Sequence, residues 1–384
     1  MFLQKITYNL SLLLLIGSCI YPFDPPSEDY ENLLVVEAFL TDSDDAFEVV
    51  LSRSIPIDTG YNLPEENALI SISDDLGGIY DLYEENPGRY MSFPDFTAQT
   101  GRIYRLHIQT TDGQQYESDS VFLLETPPID SVFFRYEERV ATEGEKNNKG
   151  LQIYVTTHDS KNSTWFYRWD YKETWEFRSK YRSLHIWEDE MVKDREDLIY
   201  RCWKNYISSN VLVATSNTLN EDIISEFPLV YVSNSSDRLM LKYSILVKQY
   251  ALNEESYNYW KELEKINENL GTFFDPQPST IKGNISNIND ENDIVLGYFD
   301  GSSVQEKRIF ISKGEYPSIV TPNYYAHCTD TIVSYFQIRS LLNEGYMLVG
   351  EVGTNTGGVA YQLSYESCID CTLFGTNIEP DFWD

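Results

Sequence analysis

The sequence predicts a mainly β protein in two parts: an N-terminal β-sandwich of the Ig-like or transthyretin-like kind, then a larger β-rich domain with one clear helix. Three observations predict it. Short apolar runs alternate with period two, and turn-forming residues separate them at roughly 8–12-residue spacing. Two adjacent prolines, Pro127 and Pro128, interrupt the series where a connector would lie. Only the stretch near 254–270 carries a helical repeat. The chain has 384 residues, enough for two or three domains, and 42% of them are hydrophobic, which excludes global disorder. It has 61 acidic and 29 basic residues, for a formal charge of −32. A surface that negative repels phosphate backbones, so nucleic acid is excluded as a partner.

Residues 1–18 read as a lipoprotein signal peptide. Lys5 supplies the positive start, and Leu10 to Ile16 supply a short apolar run, too short to span a bilayer. Gly17 and Ser18 then place small residues before Cys19, the pattern that precedes lipidation. Cys19 is therefore the expected lipid-anchored residue. Residues 19–31, rich in proline and acid, read as an extended tether.

Residues 32–126 form the expected sandwich. Leu33 to Leu40 is a buried-type run closed by the turn Thr41 to Asp45. Phe47 to Ser52, Leu69 to Ser73, Ile79 to Tyr83, Arg89 to Phe93, Ile103 to Ile108 and Gln115 to Ser118 continue the strand series. Gly77-Gly78, Pro87-Gly88 and Asp112-Gly113 turn the chain between them. Thr126 to Asp130 marks the boundary, and residues 129–384 form the second domain.

In that second domain, strand patterns recur at Ser131 to Tyr136, Leu151 to Thr157, Thr164 to Phe177, Leu239 to Leu252, Asp293 to Phe299 and Lys307 to Ser312. Glu138 to Lys149 reads as a polar loop, and Tyr181 to Arg201 as a charged, irregular excursion. The helix near 254–270 has Asn253 as its cap and Glu254 and Glu255 beside its positive end. Trp260, Leu263, Ile266 and Leu270 share one stripe, which reads first as core packing. The C-terminal tail ends in aromatic residues and is expected to dock.

Cys202, Cys328, Cys368 and Cys371 are an even set in an exported chain, so two disulfides are expected, with three pairings open. Cys368-Ile369-Asp370-Cys371 also has redox or zinc half-site spacing, and His327-Cys328 is a conceivable second half. No complete metal site and no cofactor are expected. The chain has four histidines and no Gly-x-Ser-x-Gly, so no hydrolase centre stands out. Asn289 to Asp293 offers oxygen ligands for calcium but reads better as a turn. Trp165, Trp169, Trp175 and Trp187 are the candidate ligand-binding aromatics, through stacking on a sugar, with core filling as the competing role.

Several pieces occur in a telling order. They are the Cys19 motif, Leu34 to Asp42, Val50 to Ser54, Tyr167-Arg168-Trp169, Cys202-Trp203, Gly283-Asn284-Ile285 and Pro380 to Trp383. Together they resemble a family of Bacteroidota outer-membrane lipoproteins, the domain of unknown function 4249 family. The resemblance implies an accessory to a TonB-dependent outer-membrane receptor. It carries no catalytic residues over. Asp24, Glu28, Asp29 and Glu31 are the acids that could direct such a lipoprotein to the cell surface. The expected function is a non-enzymatic binding or accessory lipoprotein of a TonB-dependent nutrient-uptake system, with a glycan or a peptide as ligand. The alternative is a hydrolase or glycan-processing enzyme of the same system.

Overall fold

The computed structural model describes residues 32–55, 63–139, 148–269, 281–317, 325–355 and 357–383. The expected signal peptide, Cys19 and the tether lie outside these residues, as do 140–147 of the polar loop.

The first series of strands runs β1 (Leu34–Leu40), β2 (Glu48–Arg53), β3 (Leu63–Pro64), β4 (Leu69–Asp74), β5 (Ile79–Asn86), β6 (Arg89–Ser92), β7 (Ile103–Gln109), β8 (Gln115–Ser118) and β9 (Val121–Phe122). Next come β10 (Ile129–Arg139), β11 (Asn148–His158), β12 (Phe166–Arg178), β13 (His185–Glu188), β14 (Met191–Asp194), β15 (Arg201–Ile207), β16 (Leu212–Thr215), β17 (Ile223–Ser233) and β18 (Lys242–Leu252). Helix α1 (Glu254–Asn269) leads to β19 (Ile285–Asn287), β20 (Val295–Gly301) and β21 (Val304–Ser312). β22 (Asp330–Val333), α2 (Tyr335–Leu342), β23 (Tyr346–Gly353) and β24 (Val359–Tyr365) complete the chain.

The first sheet is nearly closed. Its strand order is β19-β8-β7-β4-β5-β6-β2-β1-β20, with β3 added on β2 and β9 on β7. One continuous path surrounds one core, so an Ig-like or transthyretin-like pair of stacked sheets does not follow from this order. Residues 285–301, expected in the second domain, instead supply both ends of this sheet. Asn284 joins those ends: its Nδ2 donates to the Phe299 carbonyl at 2.7 Å, and the Phe299 N–H donates to its Oδ1 at 2.8 Å. A side-chain amide here replaces a backbone ladder. β20 lies parallel to β1, with Gly297 opposite Val36. Gly297 has φ +119°, and a Cβ there would lie 1.9 Å from the Val36 carbonyl oxygen. Only glycine permits that approach.

The face-to-face sandwich follows the proline connector. A three-stranded sheet, β10-β11-β17, and a five-stranded sheet, β15-β12-β18-β21 with β16 on β12, share one apolar core. The odd-numbered positions of β12 from Tyr167 to Phe177 face that core, because side chains alternate along a strand. Gln249 satisfies the polar groups buried there. Its Oε1 accepts from Trp169 Nε1 at 2.9 Å, and its Nε2 donates to the Pro127 carbonyl at 2.8 Å. The proline connector is thus fixed rather than hinged. Thr126 adds to this, donating its N–H to Ser303 Oγ at 2.8 Å and accepting from the Ala251 N–H at 3.0 Å.

A small C-terminal unit combines the sheet β22-β24-β23 with α2, around Ile338, Leu348 and Leu363. Helix α2 is a second helix where one was expected. Its eight residues bury one position, Ile338, so no stripe develops in the sequence. The supposed excursion holds a hairpin, β13–β14, whose Trp187 packs against this unit. The tail docks as an aromatic wedge. Trp383 is buried, with its ring 5.6 Å from Phe310 and 6.4 Å from Trp203.

Candidate functional site

A cleft of about 990 Å³ lies between the outer face of the first sheet, helix α1 and the outer face of the five-stranded sheet. Each wall follows from an alternation rule. In β1, Leu34, Val36, Ala38 and Leu40 fill the core of the first sheet, so Val35, Glu37 and Phe39 point outward into the cleft. β20 adds Leu296 and Tyr298. In β12 and β18 the even positions face out, and the register pairs Arg168 with Tyr250 and Asp170 with Lys248. Helix α1 contributes Tyr259, Trp260, Leu263 and Ile266. Its start is capped as expected: Asn253 Oδ1 accepts the Ser256 N–H at 2.8 Å. The apolar stripe on α1 is only half-buried and walls the cleft. Its reading as core packing is therefore corrected at Trp260, Leu263 and Ile266; Leu270 lies outside the described residues.

Arg168 forms the floor. Its guanidinium carbon lies 4.3 Å from the ring centroids of both Phe39 and Trp260 and 4.7 Å from that of Tyr250. The residue is 7% exposed and donates from Nη2 to Asp170 at 2.9 Å. A cation on three rings, paired to a carboxylate, ties the first sheet, the helix and the sandwich together. Beneath it Asp300 is sealed, receiving a hydrogen bond from Ser256 Oγ on α1 and one from the Gly301 N–H at 2.8 Å. Burial pushes its carboxyl up to about 6.

The four candidate ligand-binding tryptophans do not assemble into one site, and Trp169 and Trp175 take the competing role of core filling. Trp169 is fully buried and Trp175 is 7% exposed, both inside the sandwich core. Stacking on a sugar is closed to them, because their alternation parity turns them inward. Trp165 is half-buried just before β12, and Trp187 is half-buried in the hairpin, 5.2 Å from Tyr335. None of the four lines the cleft.

The cysteines pair as Cys202–Cys371 and Cys328–Cys368. The Cys368/Cys371 pair is thus divided between two disulfides and is not itself a dithiol. His327 has a ligand atom within 4.8 Å of Cys328 and Cys368 sulfurs, but those sulfurs are bonded to each other, which removes the thiolates a metal would take. In the acidic loop, Asp293 Oδ2 accepts from Tyr116 Oη at 2.9 Å and from Asn287 Nδ2 at 2.7 Å, and Asn287 Oδ1 caps the turn.

The histidines lie away from the cleft. His158 Nδ1 sits 2.7 Å from Asp130, whose hydrogen bond pushes the imidazole up. His107 Nε2 is 2.7 Å from Ser73 Oγ, and its Nδ1 is 4.0 Å from Glu117. Burial also raises the carboxyls of Glu173 and Asp222, but both are sealed in the sandwich core, bonded to Tyr243 and Tyr167.

A family model described as a domain of unknown function, DUF4249, matches residues 20–308. The chain belongs to the DUF4249 family. That match spans the first sheet, the whole cleft and the sandwich as far as β21. It stops inside β21, so the disulfide-linked C-terminal unit lies beyond the part that the DUF4249 model describes. No curated protein matches the chain.

Sequence reading missed Arg168 and the outer face of β1 as site residues. A signal was present: apart from Glu37, Leu33 to Leu40 is apolar at both parities, and a strand largely apolar on both faces needs cover on both.

Proposed function

We propose that this protein is an outer-membrane-anchored lipoprotein that works by binding, as a non-enzymatic accessory component of a TonB-dependent nutrient-uptake system. The observation that carries the reading is the cleft. It is walled by apolar and aromatic side chains, and its charged floor residues are already paired, Arg168 to Asp170 at 2.9 Å and Lys248 to Glu306 at 2.8 Å. Such a lining recognises a ligand and offers it no acid–base pair. The short apolar run before Cys19 supports the anchor, and the DUF4249 match beginning at residue 20 is consistent with a mature chain starting at Cys19. The test is purification of the lipidated protein from native membranes, followed by mass spectrometry. A TonB-dependent receptor recovered in near-equal amount supports the reading. Recovery of the protein alone overturns it.

One observation favours the enzyme alternative: Ser73, His107 and Glu117 line up across β4, β7 and β8. The line lacks what hydrolysis needs. Glu117 is held by Arg105, and Ser73 sits within a paired strand rather than on a sharp turn with free N–H donors. Ester or glycan turnover abolished by Ser73→Ala in a folded protein would establish the alternative.

A further inference from the structure

We infer that the cleft takes an apolar segment of a partner protein carrying lysine or arginine. The inference rests on the binding reading above and specifies its ligand. Three features of the cleft point the same way.

The first is the wall. Val35, Leu263, Ile266 and Leu296 are apolar, half-exposed and on facing elements. A segment laid between them would bury apolar surface on both sides, as in groove recognition of peptides.

The second is charge. Four acids line the cleft, Glu37, Asp45, Glu48 and Asp170, against two bases, Arg168 and Lys248. Both bases are compensated, as described, and Glu48 pairs with Arg89. Glu37 has no ion pair among the described residues, and it stands on β1 between Val35 and Phe39, at the centre of the apolar wall. An anionic amphiphile would bring like charge against it. A neutral acyl chain would strip its water and return nothing, which is costly for a carboxylate. A lysine or arginine among apolar residues covers the wall and pairs the carboxylate together.

The third is the floor. The chain's own Arg168 lies on Phe39, Tyr250 and Trp260 and is paired with Asp170, so the floor leaves no uncompensated positive charge to repel a basic segment.

The test uses the full lipidated chain in phosphatidylcholine nanodiscs, with empty nanodiscs subtracted. It is titrated with a fluorescein-labelled peptide of phenylalanine, leucine and lysine, with the same peptide bearing glutamate for lysine, and with oleate. The expected result is saturable binding of the lysine peptide, at least tenfold tighter than the glutamate peptide or oleate. Glu37→Lys, at an exposed position, should weaken it at least fivefold. Glu291→Lys, the same charge change at an exposed loop residue outside the cleft lining, should leave it unchanged. Leu263→Ser should also weaken it with no change in overall charge, its fold checked by circular dichroism. Equal or tighter binding of oleate or the glutamate peptide overturns the inference. So does equal weakening by Glu291→Lys, which would mean bulk charge alone, and so does the absence of saturable binding. Receptor recovery that survives Glu37→Lys would sink the cleft as the docking site while leaving the anchored-binding reading in place.

Discussion

Asp300 is a carboxylate whose ionisation the fold opposes. It is fully enclosed between β20 and α1, with Arg168 as its nearest compensating charge. Its folded pKa is about 6 against an ordinary carboxyl value of 3.8. A raised acid pKa means that the folded state holds the proton more tightly than the unfolded chain. Its contribution to stability is therefore greatest below about pH 4 and is lost as the pH rises through about 6. Two units correspond to about 3 kcal/mol at most. Asp300→Asn keeps an acceptor for the Gly301 N–H and removes the charge. Urea unfolding at pH 4.5 and 8 should show the variant gaining on the native protein at the higher pH. A difference between the two proteins that does not change with pH would mean that Asp300 is not desolvated as the fold requires. Gln249 is the opposite case, a buried polar residue with each amide atom matched, and it stabilises the proline connector without a titrating group.

At the scale of elements, the disulfides decide how the C-terminal unit is held. Cys202 lies at the start of β15, and its bond to Cys371 closes 169 residues. Cys328–Cys368 closes 40 residues and ties the chain before β22 to the turn after β24. Peptide mapping of the unreduced protein should recover these two bridges and no free thiol. Recovery of Cys202–Cys368 or of a Cys368–Cys371 bridge would contradict the placement of the unit. Replacing Cys202 and Cys371 together by alanine should cost about 2–5 kcal/mol, read as a lower urea midpoint. The elements also separate what a sequence carries from what it does not. The strands of the first sheet were legible because period two and Asp-Gly or Pro-Gly turns are local signals. Helix α1 was legible from its cap and its stripe. β17 was not, because Glu226 at φ +54° and Pro228 break its alternation, and register shifts against β11 absorb the irregularity. The pairing of the four cysteines was equally silent, since it depends on where distant turns meet.

For the whole molecule, the decisive events are long-range. Residues 285–301 return to complete the first sheet, and the cleft exists only because that return brings α1 across the outer face of β1 and over the sandwich. Neither step has a local signature beyond Gly283 and Gly297, where added side chains would collide with backbone. The cleft's place relative to a membrane follows from chain length. Leu33 lines it, and the 14 residue-to-residue steps from Cys19 to Leu33 can span at most about 50 Å when fully extended. An anchor at Cys19 would therefore keep the cleft mouth within that distance of the bilayer. No helix among the described residues is long and apolar enough to cross a membrane. The attachment proposed above is the lipid on Cys19. One acyl chain gives only marginal binding, whereas the diacylglyceryl thioether with an acylated amine gives stable attachment. Cys19→Ser removes the proposed thioether site and leaves 32–384 unchanged. The native protein should pellet with membranes after a high-salt wash and take up radiolabelled palmitate. The variant should do neither. A variant that still pellets after the wash would mean that some other part of the molecule holds it to the membrane, and the distance limit on the cleft would fall with the anchor.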